Sequence, residues 1–456
     1  MIQYLIGVTR KENKEHIKKM FLNSLPLAFA GLLSVLIGFI DSLYLSNYSL
    51  EAFKALSLII PILGIVGSMG IAIGAALVNS MANYEGKGEK QRVYFSTIFL
   101  ILISYIIIVI FTIFGYDRFI NFNNLQDHSN AKILVFFTQY WFAIVPLYLF
   151  VLVLNVVTQY LSYRNKNKEI IYILSIIVIS NLILNPIFIF YLDLGVIGAA
   201  LASIVSLTLG NLYFALRQKR LQKFLSLVVK PKDYLKKMGT ILKVQSKVAF
   251  SVFLAIAIFA LGSIFFNQLA IKQGNEFLAV IGLIEQLKLL MIFPTRGVTG
   301  AFLIMFEKAI SLRQVNTYWK LYWSATTIIA AICIFEALLI FFFSDLLFRL
   351  FNIESESMIK IMEVLLISLY FYFLVNILPR ASQVGFITLG KSYLLFLQSL
   401  FSVLFGYILT YLLVGNIGKE WFIHGQSLGV FIATTIFLLI FRSMLKKRIK
   451  ADKKML

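Results

Sequence analysis

Apolar runs long enough to cross roughly 30 Å of hydrocarbon recur about twelve times along this chain, separated by short polar connections. They start near Phe21, Leu56, Val93, Ile133, Ile170, Gly195, Val244, Leu278, Tyr318, Ile359, Tyr393 and Gln426. The pattern predicts an all-α integral membrane protein of about twelve transmembrane helices, because a helix bonds all its backbone groups within itself in lipid. Composition agrees. Of 456 residues, 60% are hydrophobic and 14% charged, against roughly 25% charged in a soluble protein.

The formal net charge of +21 raises the question of nucleic acid, but the placement of the basic residues answers it as topology. With the amino terminus taken as cytoplasmic, the basic connections on its side are 87–92, 164–168, 217–243, 308–320, Lys391 and the tail from Arg442. Roughly 31 of the 42 Lys and Arg then lie inside, the bias that fixes orientation. Both termini are expected in the cytoplasm and the protein in the plasma (inner) membrane. The opening segment MIQYLIGVTRKENKEHIKK precedes a run far longer than the roughly 7–15 apolar residues of a signal peptide and shows no small-residue cleavage site, so it is expected to be retained. Trp141, Trp319, Trp323 and Trp421 fall at the ends of the runs, where an interfacial aromatic belt places them.

The longest basic connection divides the chain into residues 1–220, a linker at 221–243 that can form an amphipathic surface helix, and residues 244–456. The halves echo each other. IDSLYL around Asp41 pairs with FNQLAI around Asn267, Pro146 with Pro379, and GIAIGAAL from Gly70 with RGVTGAFL from Arg296, in corresponding runs and in the same order. Two six-helix lobes related by a parallel pseudo-twofold repeat are expected, with the substrate cavity between them.

Within the runs, chemistry is scarce. A charge at the membrane centre costs roughly 2.5–3.5 kcal/mol on insertion scales, so Asp41 on the first run requires a partner, water or a proton. At about 1.5 Å per residue it lies about 30 Å beyond Phe21, in the outer part of the bilayer. Asn181 and Asn185 on the fifth run and Ser203 on the sixth fall at a similar depth. A carboxylate among amide and hydroxyl dipoles can hold a proton, or a monovalent cation ringed by oxygens; interhelical hydrogen bonding alone is the plainer reading of the Asn and Ser residues. Glu285, Lys288, Arg296 and Arg380 are candidates for the substrate cavity and leave more positive than negative charge in the carboxyl-terminal half, which keeps an anionic substrate open. The spacing of Glu285 and Lys288 also permits an i,i+3 ion pair. Pro26 shares a helix with Asp41 and is a candidate hinge.

Other motifs carry less. GFITLGKS, 385–392, fits the phosphate-binding loop pattern, but apolar membrane runs flank it where a strand and a soluble domain belong, so it reads as a helix-end turn. GIAIG is close-packing spacing. NYS at Asn47 fits a glycosylation pattern at the membrane edge and receives no weight. One cysteine, Cys333, allows no internal disulfide, and His16, His128 and His424 lie outside the apolar runs, so no metal site is expected.

The segments LPLAFAGLLSVLIGFIDSLYLS, IPILGIVGSMGIAIGAALVNSMANYEGKGE, NLILNPIFIFYLDLGVIGAALAS and IGLIEQLKLLMIFPTRGVTGA resemble the first, second, fifth to sixth, and eighth helices of the multidrug and toxic compound extrusion (MATE) family. The resemblance implies a twelve-helix antiporter of two six-helix lobes that expels amphipathic organic compounds in exchange for H⁺ or Na⁺. No cofactor beyond the coupling ion, no nucleotide, no nucleic-acid partner and no enzymatic activity are expected of this chain, and a monomer is expected. The family's coupling residues correspond here to Asp41, Asn181, Asn185 and Ser203, with Asn185 standing where the family has Asp. That loss leaves Asp41 as the one charge of the set and favours a single proton over tight Na⁺ binding. A second branch places a Glu on the seventh helix, and no acid occurs between Val244 and Lys272. The alternative is a flippase for a lipid-linked glycan or other anionic lipid, favoured by Lys288, Arg296 and Arg380 and opposed by the helix count. An ATP-driven protein resting on GFITLGKS lacks room for a nucleotide-binding domain.

Overall fold

Hydrocarbon offers no partner for a backbone N–H or C=O, and each apolar run satisfies them by becoming a helix. The computed structural model describes residues 10–454 apart from 85–89, 128–129, 165, 218–230, 354, 390 and 392. In order these are α1 (Arg10–Tyr48), α2 (Leu50–Asn83), α3 (Lys90–Phe122), α4 (Ala131–Ala143), α5 (Val145–Tyr163), α6 (Asn167–Pro186) and α7 (Gly195–Arg217). There follow α8 (Pro231–Ile271), α9 (Asn275–Ser311), α10 (Tyr318–Leu350), α11 (Glu356–Thr388), α12 (Tyr393–Asn416) and α13 (Phe422–Lys454). Among the described residues twelve helices are long and apolar enough to span a membrane and none of the structure is strand. The chain is a multi-pass, all-α membrane protein.

Proline and capping residues set the interruptions. Pro146, which has no N–H, sits in the first turn of α5, directly after the break at Ile144 that separates it from α4. Pro186 ends α6, and the ladder beyond it widens into a π-turn at Ile187–Tyr191, closed by Leu192 N–H donating to the Ile187 carbonyl at 2.9 Å. Ser49 caps α2 by accepting from Glu51 N–H at 3.2 Å. That cap is the role of the serine in NYS.

By internal contacts the chain falls into two units, one covering Leu36–Gly282 and the other joining the described residues up to Val35 with Leu283 onward. In the first, α8 lies along α2: a side chain at Gly64 would meet Ala260 at 3.2 Å, and Asn267 Nδ2 donates to the Ser57 carbonyl at 2.9 Å. Gln245 on α8 also accepts from Ser96 at 2.7 Å and donates to Thr97 at 3.1 Å on α3. The seventh span therefore groups with the second and third, and the contact division does not fall at 221–243. Of that linker, 221–230 lies outside the described residues, the suggested surface helix with it, and residues from Pro231 onward already belong to α8. Gly70 and Gly74 bring α2 against Asn155 and Gln159 of α5, at 2.8 and 2.7 Å from where their Cβ atoms would lie, which is the close packing expected of GIAIG.

Trp141 departs from the expected aromatic belt. It is buried, donates from Nε1 to the Thr112 carbonyl at 2.9 Å and packs at tilted angles against Tyr116, Phe119 and Phe137, so it ties α4 to α3 rather than facing lipid headgroups.

In the second unit, Gly297 of α9 admits the α1 backbone at Ser24 and Ala28, and Gly300 lies against Leu27. The hairpin of α12 and α13 closes through Gly425 against Thr410 and Gly429 against the backbone of Gly406. GFITLGKS ends α11: Gly385 packs on the Phe441 ring, Thr388 Oγ1 donates to the Gly385 carbonyl at 2.9 Å and Lys391 N–H to Phe386 at 2.8 Å. Gly390 and Ser392 lie outside the described residues. A helix-end turn, and no strand before it, is what surrounds the motif.

Candidate functional site

Asn181 and Asn185 stand four residues apart on α6 and so share one face, which is packed toward α7 by Gly210 beneath Ile177. Beyond the π-turn, Gly195 takes a left-handed φ of +51° and starts α7, and Gly198 lets that helix lie on the backbone of Phe188. Ser203 is thereby carried to the same place, and the later part of α1 supplies Asp41.

All four predicted residues meet. Asp41 Oδ1 accepts from Asn181 Nδ2 at 3.0 Å and from Asn185 Nδ2 at 2.9 Å, while Oδ2 accepts from Ser203 Oγ at 2.6 Å. Asn181 Nδ2 also reaches Ser203 Oγ at 3.0 Å, and Asn185 Nδ2 the Asn181 carbonyl at 2.9 Å. The four side chains are buried. The Oδ1 atoms of Asn181 and Asn185 are buried too and accept no hydrogen bond. An unbonded buried acceptor costs roughly 1–3 kcal/mol. With the carboxylate and the hydroxyl, they give one place four sources of oxygen and a single negative charge.

Tyr140 on α4 is a further member that the sequence did not single out. It is buried, and the Asp41 charge acts on its hydroxyl. As one of 22 tyrosines in a chain with 43 phenylalanines it carries no distinguishing sequence signal.

The second set of candidates divides. Lys288 Nζ pairs with Glu285 Oε1 at 2.6 Å, donates to Gln426 Oε1 at 2.7 Å and lies 4.5 Å over the Tyr372 ring, so the i,i+3 pair forms and most of its positive charge is answered within the unit. Gln426 and Tyr372 were not foreseen. Arg296 on α9 and Arg380 on α11 lie close enough for their charges to oppose each other. Arg380 is half-buried and makes no salt bridge among the described residues. Glu336 on α10 was also overlooked: its Oε2 is buried with no hydrogen-bond partner. It stands in the run AICIFEALL, and the rule that singles out Asp41 finds it equally well. Pro26 lies inside α1, in the part that packs with α9. Among the described residues no group of three His, Cys, Asp or Glu is placed to hold a metal ion.

The MatE family profile matches residues 26–187, the stretch that carries Asp41, Asn181 and Asn185. Over that stretch the chain is similar to the MATE family. Among curated relatives, the multidrug export protein MepA of Staphylococcus saprophyticus is 24% identical over 279 residues, 60% of each chain. The FAD transporter of Shewanella oneidensis is 27% identical over 224 residues, 45% of this chain and 48% of the relative. The matched part thus spans less than two thirds of either relative. A solved MATE transporter of the MOP superfamily in an inward-facing conformation superposes with a TM-score of 0.78 at 20% identity, over 95% of this chain and 99% of the other. That likeness is one of fold, and it extends the MATE architecture to nearly the whole of this chain.

Proposed function

We propose that this protein is a MATE-family, cation-coupled antiporter that exports amphipathic organic compounds by alternating access, with Asp41 as the coupling group. The observation that carries the reading is the convergence of Asn181, Asn185 and Ser203 on one buried carboxylate. In the charged state Asp41 only accepts, and it draws α6 and α7 toward α1 through three donors. A proton on either oxygen turns that atom into a donor, so at least one of the three contacts breaks or reverses, and an amide that turns about offers its Oδ1 as the acceptor. Protonation therefore changes how three helices are held, and Pro26, inside α1, is the hinge of this proposal. A Na⁺ ion would use the same oxygens, but a single carboxylate gives it weak charge compensation, and H⁺ is the coupling ion of this proposal.

The compounds moved are drug-like and amphipathic, in keeping with the name of the MepA relative. The protein acts as a monomer in the plasma membrane with both termini in the cytoplasm, its two six-helix lobes related by the internal repeat and framing the cavity. A second reading, translocation of an anionic lipid or lipid-linked glycan, is favoured by one observation: Arg296 and Arg380 oppose each other, and an anionic group between them relieves the repulsion. The FAD transporter relative fits an anionic cargo as well.

Purified protein in liposomes, given ΔpH and then ΔNa⁺ in the presence of a fluorescent lipophilic cation and a labelled lipid-linked sugar, separates the readings. Dye movement driven by ΔpH and lost in Asp41→Asn is the expected result. Sugar-lipid translocation with no dye movement, lost in Arg296→Gln with Arg380→Gln, establishes the second reading in its place.

A further inference from the structure

Away from the membrane-embedded groups, the turn between α9 and α10 and the end of α13 enclose an open cavity of about 390 Å³. It is lined by Arg313, Gln314, Val315, Asn316, Thr317 and Lys453. That size falls within the roughly 300–1,000 Å³ of ordinary ligand sites. Two of the six lining residues are cations and none is acidic.

The turn is fixed closely. Leu312 N–H donates to Lys308 at 3.0 Å, Gln314 N–H to Ala309 at 2.9 Å, and Thr317 Oγ1 to the Gln314 carbonyl at 2.6 Å. Arg313 itself takes a left-handed φ of +51°. The other non-glycine residues with positive φ among those described are Asn124, Asp193 and Asn352, types that tolerate this conformation, whereas an arginine does so at a cost in strain. The fold thus holds a long cationic side chain where an asparagine would sit more easily.

The opposite wall is also built. Asp452 is buried, accepts from Tyr318 Oη at 2.8 Å and from Arg448 Nε at 2.9 Å, and so anchors the end of α13 to the start of α10. It is the one acid in the tail from Arg442 to Leu456, and with both partners engaged it leaves its neighbour Lys453 uncompensated. Among the described residues neither Arg313 nor Lys453 makes a salt bridge. Lys308, Lys320, Lys446, Lys447 and Lys450 lie on the same helix ends and add to the positive potential. The cavity opens where α9 ends and α10 begins, with Trp319 and Trp323 in the first turns of α10, the level at which membrane-spanning helices meet lipid headgroups.

From this arrangement we propose that Arg313 and Lys453 bind a phosphate-bearing anion in the cavity, the headgroup of an anionic phospholipid at the membrane surface. Arg313 supplies planar, forked donors for phosphate oxygens, Lys453 a second charge, and Asn316 and Thr317 lie beside them as polar residues suited to a glycerol hydroxyl. The site is independent of the transport reading, since none of its residues belongs to the coupling or cavity sets.

The test uses the full chain, native mass spectrometry of protein released from mixed phosphatidylglycerol and phosphatidylcholine vesicles, and ³¹P NMR of inorganic phosphate added to protein in neutral detergent. The variant Arg313→Asn with Lys453→Gln removes both charges while keeping a residue that accepts the turn. The wild type is expected to retain phosphatidylglycerol over phosphatidylcholine, and the variant to retain about tenfold less, the scale of one charge-assisted contact. Selective broadening of the phosphate resonance that disappears in the variant, with lipid retention unaltered, assigns the same residues to a free phosphate instead and overturns the lipid source. Retention and broadening both unchanged in the variant overturn the site. Lys453→Glu, a reversal at an exposed helix end, provides the same reading should the double variant fail to fold.

Discussion

Both carboxylate oxygens of Asp41 are bonded by side chains of two other helices. Asp41→Asn preserves the volume and removes the charge, and it is expected to insert and fold yet abolish gradient-driven dye export; normal export by this variant removes Asp41 from the mechanism. Ser203→Ala deletes the 2.6 Å bond to Oδ2 and should cost roughly 1.5–3 kcal/mol, the range for hydrogen bonds to a charged group, seen as a lowered unfolding midpoint. Asn185→Asp places a second carboxylate where Nδ2 now donates at 2.9 Å. Two carboxylates suit a monovalent cation better than one, so the variant should melt higher in NaCl than in choline chloride by a margin the parent lacks. Equal melting curves in the two salts would set aside the single-carboxylate argument for H⁺ coupling.

The helices themselves are legible from the apolar runs, but the break at Ile144 is not, since Pro26, Pro61 and Pro294 lie inside unbroken helices. Pro146 was noted only as half of a repeat pair, yet it marks the break between α4 and α5, for a ring without an N–H ends one hydrogen-bond ladder and begins the next. The close packing of α12 on α13 could not be read from a single helix, because each glycine matters only through what lies opposite it. Gly429→Leu drives a side chain into the backbone of Gly406 and should destabilise by at least roughly 1–3 kcal/mol, as overpacked cores do. Gly239→Ala on α8 meets nothing within 4 Å and should be neutral or stabilising by roughly 0.4–1 kcal/mol. Thermal scanning with size-exclusion recovery compares the two, and equal losses would mean that the glycine at 429 has no packing role.

At the scale of the whole molecule, orientation rests on the distribution of Lys and Arg. In a background with Cys333→Ala, a cysteine at Lys272, between α8 and α9, should react with an impermeant maleimide from outside intact cells, and one at Lys391, between α11 and α12, only after permeabilisation. The reverse pattern inverts the topology. The compact units also bear on how the chain is cut: a boundary drawn at the basic linker separates α8 from α2 and α3, on which it packs through Asn267 and Gln245. The basic connection suggested that boundary, and side-chain contacts group the seventh span with the second and third.

The sequence by itself determined the membrane class, the number of the spans, and the polar residues that have no business in hydrocarbon unless they have partners. Hydropathy and helical rise are local properties, so they survive in one dimension. It also determined, through common depth and through likeness to MATE proteins, that Asp41, Asn181, Asn185 and Ser203 were candidates for one place. Only the tertiary structure decided that they touch, that Lys288 also reaches Gln426, that Trp141 is a core tie, and that Arg313 and Lys453 share a cavity. Those are pairings between residues far apart in the chain. Helix packing sets them, and no single run of sequence encodes its neighbour.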